Sequence, residues 1–250
     1  MLVIDVGNSR VKVGVFIGNS IANEFIFDTS AFYKEEVLRK ELIDKVDEDA
    51  IAFSSVVPVV RDRIISFAEG LKKEWFDVSQ AGNKVLKVNY NIKQLGGDRL
   101  ANAIAAYKKY KPPLLVIDFG TATTYDVVLA DGRFDGGIIA PGIKACIDSL
   151  VKKTGLLPEI SLRYPDGFLG HNTDDAMVSG FYNTFVGQLK EMIAKVQNHI
   201  GNGFITVGTG GLLDFALREF PFILPDKDLT FWGIKLLYDA NRRQKRQIKN

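Results

Sequence analysis

The sequence predicts an α/β protein made of two duplicated domains, each a mixed sheet flanked by helices. Three observations carry this reading: a hexapeptide that recurs half a chain later, a run of short strands after each copy, and helical periodicity beyond them. Leu2-Val3-Ile4-Asp5-Val6-Gly7 returns as Leu115-Val116-Ile117-Asp118-Phe119-Gly120, identical at five of six positions. A repeat this long marks a duplicated domain, whereas periods of about 20–50 residues mark solenoids.

Each copy continues in the same way. A second apolar strand is expected at 11–16 in the first half and 124–129 in the second, each followed by a turn, Gly18-Asn19 or Asp131-Gly132. A third strand follows near 24–27 and 133–134, so each half opens with a meander. Helical spacing then takes over. Val37, Leu38, Leu42, Ile43 and Val46 share one face, as do Ile64, Ile65, Ala68 and Leu71. Met177, Phe181, Phe185, Leu189, Met192 and Val196 line a longer helix. Strands expected at 50–57, 85–88 and 204–207 alternate with these helices, which argues for α/β layers. Pro112-Pro113 interrupts the helix that ends near Lys111. The expected domains are therefore 1–111 and 112–250.

Composition narrows the function. In 250 residues, 46% hydrophobic and 25% charged is ordinary for a globular protein that buries a sizeable core. A net charge of +2 gives no general attraction to nucleic acid or an anionic membrane. The basic tail Arg242-Arg243-Gln244-Lys245-Arg246 reads as a solvated helix end. Cys146 is the single cysteine, so no internal disulfide forms, which fits a reducing, cytoplasmic setting. Leu2-Val3-Ile4 meets Asp5 with no basic region before it, so neither a signal peptide nor a membrane span is expected. His171 and His199 lack ligand-spaced partners, which disfavours a zinc site.

The repeated Asp-x-Gly points to phosphate. A carboxylate at the end of a buried strand needs a cation or hydrogen bonds to offset its burial. The glycine two residues on allows a sharp turn whose N–H groups can meet an anion. Hydroxyl and amide side chains follow each turn: Asn8 and Ser9, then Thr121, Thr123 and Thr124. Lys12 adds a positive charge. One Asp-x-Gly is an ordinary turn. Two with matching flanks are expected to clasp a polyphosphate between the halves. Gly208-Thr209-Gly210-Gly211 is expected to open a helix over 212–220, but neither a Gly-x-Gly-x-x-Gly nor a Gly-Lys-Ser/Thr motif is present.

Gly96-Gly97-Asp98-Arg99 precedes an amphipathic helix carrying Leu100, Ile104 and Tyr107. Asp98 has the position of an N-cap. With Arg99 beside it, it has a second reading, accepting a proton from a substrate hydroxyl while the guanidinium holds an anion. Phosphoryl transfer needs little more than such positioning and charge. Asp118 is open to two readings, as a magnesium ligand or as a ligand of another cation.

Taken together, these motifs resemble the type III pantothenate kinases. The resemblance rests on Asp5-Val6-Gly7-Asn8-Ser9, Ser54-Ser55-Val56-Val57-Pro58, Gly96-Gly97-Asp98-Arg99, Asp118-Phe119-Gly120-Thr121-Ala122-Thr123-Thr124 and Gly136-Gly137-Ile138-Ile139-Ala140-Pro141-Gly142. Asn172-Thr173, Ser179-Gly180, Thr209-Gly210-Gly211 and Asp228-Leu229-Thr230 extend it along the chain. It implies duplicated actin-like (ribonuclease H-like) domains, as in the acetate/sugar kinase, heat-shock-70 and actin superfamily. The implied activity is ATP-dependent phosphorylation of pantothenate, the first step of coenzyme A synthesis. The implied cofactors are Mg²⁺ or another divalent ion with the ATP, and K⁺ or NH₄⁺. The implied assembly is a homodimer.

Position by position, the resemblance makes Asp5, Val6, Gly7, Asn8, Ser9, Arg10, Val11 and Lys12 the first phosphate turn, with Asp5 near the magnesium. Thr121 matches a further ATP contact, and Asp118 the monovalent-cation ligand. Asp98 matches the general base. Gly96, Gly97 and Arg99 match its substrate-binding neighbours, and Thr173 a pantothenate contact reaching the partner subunit. Tyr90 matches a substrate-contacting aromatic, although the intervening Asn91-Ile92-Lys93-Gln94-Leu95 lacks the proline the family commonly places there. The alternatives are a kinase for another small hydroxy compound, or a non-catalytic relative of the Bvg accessory factor type acting in transcription.

Overall fold

A computed structural model describes residues 1–46, 50–80 and 85–249, the side chains of Gln80 and of 244–249 excepted. The chain forms two compact units. The first comprises Met1–Lys111, Gly132–Gly136 and Lys227–Asn250; the second comprises Pro112–Asp131 and Gly137–Asp226.

In the first unit, β1 (Leu2–Val6), β2 (Arg10–Ile17) and β3 (Ser20–Asp28) form the expected antiparallel meander. Gly18, at φ +60°, makes the two-residue turn that joins β2 to β3. On the other side of β1 lie β4 (Ala50–Ser55) and then β5 (Glu74–Asp77), both parallel, giving the order β3-β2-β1-β4-β5. β1 is central, and Leu2, Val3 and Ile4 are buried on both faces. β4 stops at Ser55, short of the expected Val57, because Pro58 opens the following helix and Val57 becomes its extended N-cap.

One face of this sheet carries Leu2, Ile4, Val11, Val13, Ile51 and Phe53. They pack on α1 (Glu35–Ile43) and α2 (Pro58–Gly70) through Leu38, Leu42, Ile64 and Phe67. The opposite face meets α3 (Gly97–Lys109) and the last helix of the chain, over Leu229–Lys249. That helix was expected with the second half. It joins the first because Phe231 lies against Gly14, Trp232 packs edge-on to Phe16 at 5.2 Å, and Thr230 donates a 2.8 Å bond to Asn102. The side chains of the basic tail from Gln244 to Arg246 lie outside the described residues.

β6 (Lys87–Val88) is shorter than expected and pairs in parallel with Arg133–Phe134 in the same unit. Those two residues begin a strand, β9, that continues to Pro141 in the second unit and so takes in Gly136-Gly137-Ile138-Ile139.

The second unit repeats the architecture. β7 (Leu114–Phe119) pairs antiparallel with β8 (Ala122–Val128), with β9 beyond it. On the other side of β7 come β10 (Ile205–Thr209) and β11 (Leu224–Pro225), both parallel. The order β11-β10-β7-β8-β9 is that of the first unit, read from its parallel edge. Leu115, Ile117 and Tyr125 form its core with Phe185, Leu189 and Ile193 of α5 (Thr173–Ile200), and Ile143 of α4 (Ile143–Lys153) joins them. The helix expected over 212–220 is only a single short turn, α6 (Leu213–Leu217), and the C-terminal helix is α7.

α3 and α7 touch backbone to backbone. A Cβ at Gly233 would lie 1.9 Å from the Ala101 carbonyl oxygen, so neither helix can yield by turning a side chain. We expect Gly233→Ala to cost about 2–3 kcal/mol through overpacking, lowering the melting temperature by roughly 5–10 °C. A calorimetric melt that does not change would contradict this packing.

Candidate active site

Asp5 is half-buried near the end of β1, with Lys12 directly across the antiparallel pair and Ser54 beside it on β4. Gly7 N–H donates to the Arg10 carbonyl at 2.9 Å and closes the turn. Asn8, Ser9 and Arg10 are exposed at its tip. Val6 and Val11 are buried in the core, so only their backbone is offered to a ligand. The turn is pinned from behind by buried Thr29. Its hydroxyl donates to the Gly7 carbonyl at 2.8 Å, and its N–H donates to the Ser9 carbonyl at 3.1 Å.

The N-terminus of α3 lies over the same face of this sheet. A Cβ at Gly97 would stand 2.7 Å from Ser54 Oγ, so only glycine lets the helix come this close to β4. The N-cap is Gly96, and Asp98 sits in the first turn, which corrects the expected capping role. A side chain at Gly96 would fall 2.5 Å from Asp98 Oδ1, so this glycine keeps the carboxylate's position open. Asp98 Oδ1 accepts the Arg99 N–H at 2.8 Å, and the negative charge near a helix N-terminus is favourable. Arg99 is buried, with its guanidinium 5.5 Å from the Tyr90 ring centre. Tyr90 in turn packs edge-on to Phe134 at 6.0 Å. Asp5, Lys12, Tyr90 and Gly96 to Arg99 thus belong to one unit, and a cation–π contact joins Tyr90 to Arg99.

The second unit holds the counterpart turn. Asp118 is half-buried with Thr124 across from it and Thr209 beside it on β10. Gly120 N–H donates to the Ala122 carbonyl at 3.1 Å, so this turn is one residue shorter than the first. Gly142 N–H donates to the exposed Thr121's carbonyl at 3.0 Å, and a Cβ at Gly142 would lie 2.5 Å from the Gly120 and Thr121 oxygens. Gly210, at φ +94°, brings its backbone against the carboxylate: a Cβ there would lie 2.5 Å from Asp118 Oδ1. Thr173 is elsewhere in this unit, exposed at the start of α5. Asn172 caps α5 by accepting the Asp175 N–H at 2.9 Å, and Arg163 beside Asp175 holds that exposed carboxyl below its ordinary range, with Asn172 assisting. Among the described residues, no group of three His, Cys, Asp or Glu side chains is placed to hold a metal.

The model of the type III pantothenate kinase family matches residues 1–195, a span that contains Asp5, Asp98, Asp118 and Thr173. The type III pantothenate kinase of Agathobacter rectalis is 36% identical, covering 98% of each chain. That of Geotalea daltonii is 32% identical over 97% of this chain and 99% of the relative. This chain belongs to the type III pantothenate kinase family. Solved structures extend the likeness at the level of fold. A protein named as a Baf family transcriptional activator from Campylobacter jejuni superposes with a TM-score of 0.63 at 21% identity, over 97% of this chain and all of that one. MreB 5 of Spiroplasma citri superposes with a TM-score of 0.53 at 9% identity, over 98% of each chain. The fold is therefore the actin-like one.

Sequence reasoning missed Thr29, which no local motif marks because its partner, Gly7, is 22 residues away. It also missed a carboxyl pair near Lys12. Although Glu24 is an exposed position of β3, partial desolvation of its carboxyl and the hydrogen bond with Asp228 push it above its ordinary range, and Lys12 opposes both. A carboxyl raised on folding stabilises the fold below its unfolded value and loses that contribution as pH rises through the folded one. Glu24→Gln should therefore gain melting temperature over the parent as pH goes from about 4 to about 7.5, since the amide keeps the Asp228 bond without the charge. An advantage that shrinks with rising pH would contradict the assignment.

Proposed function

We propose that this chain transfers the γ-phosphoryl group of ATP to the primary hydroxyl of pantothenate, forming 4′-phosphopantothenate at the entry to coenzyme A synthesis. The observation that carries the reading is the placement of Asp98. Gly96 keeps room for its carboxylate, Arg99 N–H fixes Oδ1, and Gly97 seats the helix on the strand beside Asp5. In the transfer, Asp98 Oδ2 takes the hydroxyl proton. The hydroxyl oxygen bonds to the γ-phosphorus as the bond to the bridging oxygen breaks, and the electron pair departs with ADP. Arg99 holds the pantothenate carboxylate, and Tyr90 packs beside it. In the first unit, the turn from Asp5 to Lys12 contacts the nucleotide phosphates; in the second, Thr121 is proposed as an ATP contact.

The carboxylates fit the ions this chemistry implies. Asp5, a half-buried carboxylate, would hold a magnesium ion that accompanies the nucleotide phosphates, among described residues that offer no three-residue metal cluster. Asp118 faces the backbone of Gly210 and has neutral Thr124 across from it, so its charge has no cationic side chain opposite and would suit K⁺ or NH₄⁺. When bound, these ions neutralise charge on the phosphates. Leu156, Phe168 and Leu169 are exposed in the segment leading to Thr173, which supports a homodimer covering them. No helix among the described residues is long and apolar enough to cross a membrane.

A coupled assay of ADP release, run with and without pantothenate in potassium and in sodium, tests the reading. The parent should turn over only with pantothenate and faster in potassium. Asp98→Asn should lose roughly 10²–10⁴ in kcat, as expected for removal of a general base. Equal turnover by the variant would remove Asp98 from the mechanism.

A further inference from the structure

Among the described residues, the buried side-chain hydroxyls without a hydrogen-bond partner are those of Ser54, Tyr125 and Thr209. Ser54 and Thr209 are each 1% exposed. Two of these three stand at equivalent places in the duplicated architecture. Ser54 is the register partner of Asp5 on the neighbouring parallel strand, and Thr209 is the register partner of Asp118 on its parallel neighbour. Register partners on parallel strands project from the same face of a sheet, so each hydroxyl stands beside one carboxylate. Buried hydroxyls are nearly always paired, and leaving one unpaired forfeits its solvation with nothing in return. A cost incurred once per unit, at the same address, calls for a role in another state of the molecule.

We propose that Ser54 and Thr209 are positioning residues whose hydroxyls donate to the Asp5 and Asp118 carboxylates when nucleotide and its cations are bound, fixing each carboxylate in its binding rotamer. The inference rests on the kinase reading above. A hydroxyl suits the task because it rotates to follow an acceptor and gives a strong bond to an ionised one. The surroundings suit it as well. Gly97 packs closely over Ser54 Oγ, and Gly210 brings its backbone against Asp118, so each pair sits where backbone comes close. Tyr125, the third orphan, lies opposite Ile117 with no register carboxylate, and it shares no such role.

The test uses the full chain with Ser54→Ala and Thr209→Val, each close in shape to the parent. Thermal melts are recorded without ligand and during titration with Mg·ATP, in potassium and in sodium. Without ligand, both variants should melt at or slightly above the parent, because an orphan donor has been removed. The apparent Kd for Mg·ATP should rise about tenfold in Ser54→Ala, the worth of one hydrogen bond to a charged group. In Thr209→Val the difference between potassium and sodium should shrink by a similar factor. Ser54→Thr, which keeps a hydroxyl, should bind more tightly than Ser54→Ala. A parent that responds to Mg·ATP with variants that respond equally overturns this inference alone. So does a loss of ligand-free stability with unchanged Kd, which would make the hydroxyls merely structural. A parent with no response to Mg·ATP overturns the kinase reading and this inference together.

Discussion

A carboxylate near the end of a buried parallel-flanked strand is the constraint around which each half of this protein is arranged. Asp5 follows three residues that are fully buried, and Asp118 follows four that are almost entirely so. Such a group is tolerable only if something nearby accepts its charge. The neighbouring features can be read as answers to that demand. The glycine two residues on closes a turn of exposed polar groups, a parallel strand presents a hydroxyl at the same level, and further glycines let backbone approach. Gly97 against Ser54 and Gly210 against Asp118 do in the two units what no side chain would allow.

The copies have nonetheless diverged in charge. Across from Asp5 is Lys12; across from Asp118 is Thr124. The first turn therefore carries its own cation toward an anion, and the second leaves its carboxylate opposite a neutral hydroxyl. The extra residue in the first turn places Asn8, Ser9 and Arg10 at an exposed tip, where the second turn has Thr121. One architecture thus carries a turn with a cation across from its carboxylate in one unit and a turn with a neutral hydroxyl across from it in the other. Duplication with divergence explains why nearly the same hexapeptide stands in two different electrostatic surroundings.

The fold was legible because its cues are local and repeated. Period-2 apolar runs and the Gly18-Asn19 turn determine their elements without reference to distant residues, whereas the helix start at Pro58 goes unmarked and the strand expected before it runs two residues too long. What the sequence concealed is what distant residues decide. α7 left the second half because Phe231, Trp232 and Gly233 find Gly14, Phe16 and Ala101, more than a hundred residues away. The expected helix after Gly211 shrank to one turn. In the site, Asp98 and Arg99 were visible as a motif, but the cap is Gly96, and the real use of both glycines is clearance for a carboxylate and for Ser54. Thr29 carries no signal beyond being small and polar, and the motifs that contain Ser54 and Thr209 do not mark what those two hydroxyls face. Their significance comes only from register and burial.

In the proposed kinase, Asp5 serves the magnesium that accompanies ATP and Asp118 serves a monovalent cation, although the two stand in nearly the same hexapeptide. Titration calorimetry of Mg·ATP against the parent, Asp5→Asn and Asp118→Asn, each in potassium and in sodium, tests it most directly. Asp5→Asn should weaken binding at least about tenfold in both salts, the loss expected when a charged hydrogen-bonding partner is removed. Asp118→Asn should instead abolish the preference for potassium. Identical losses in the two variants, or a potassium preference that survives Asp118→Asn, would contradict the account.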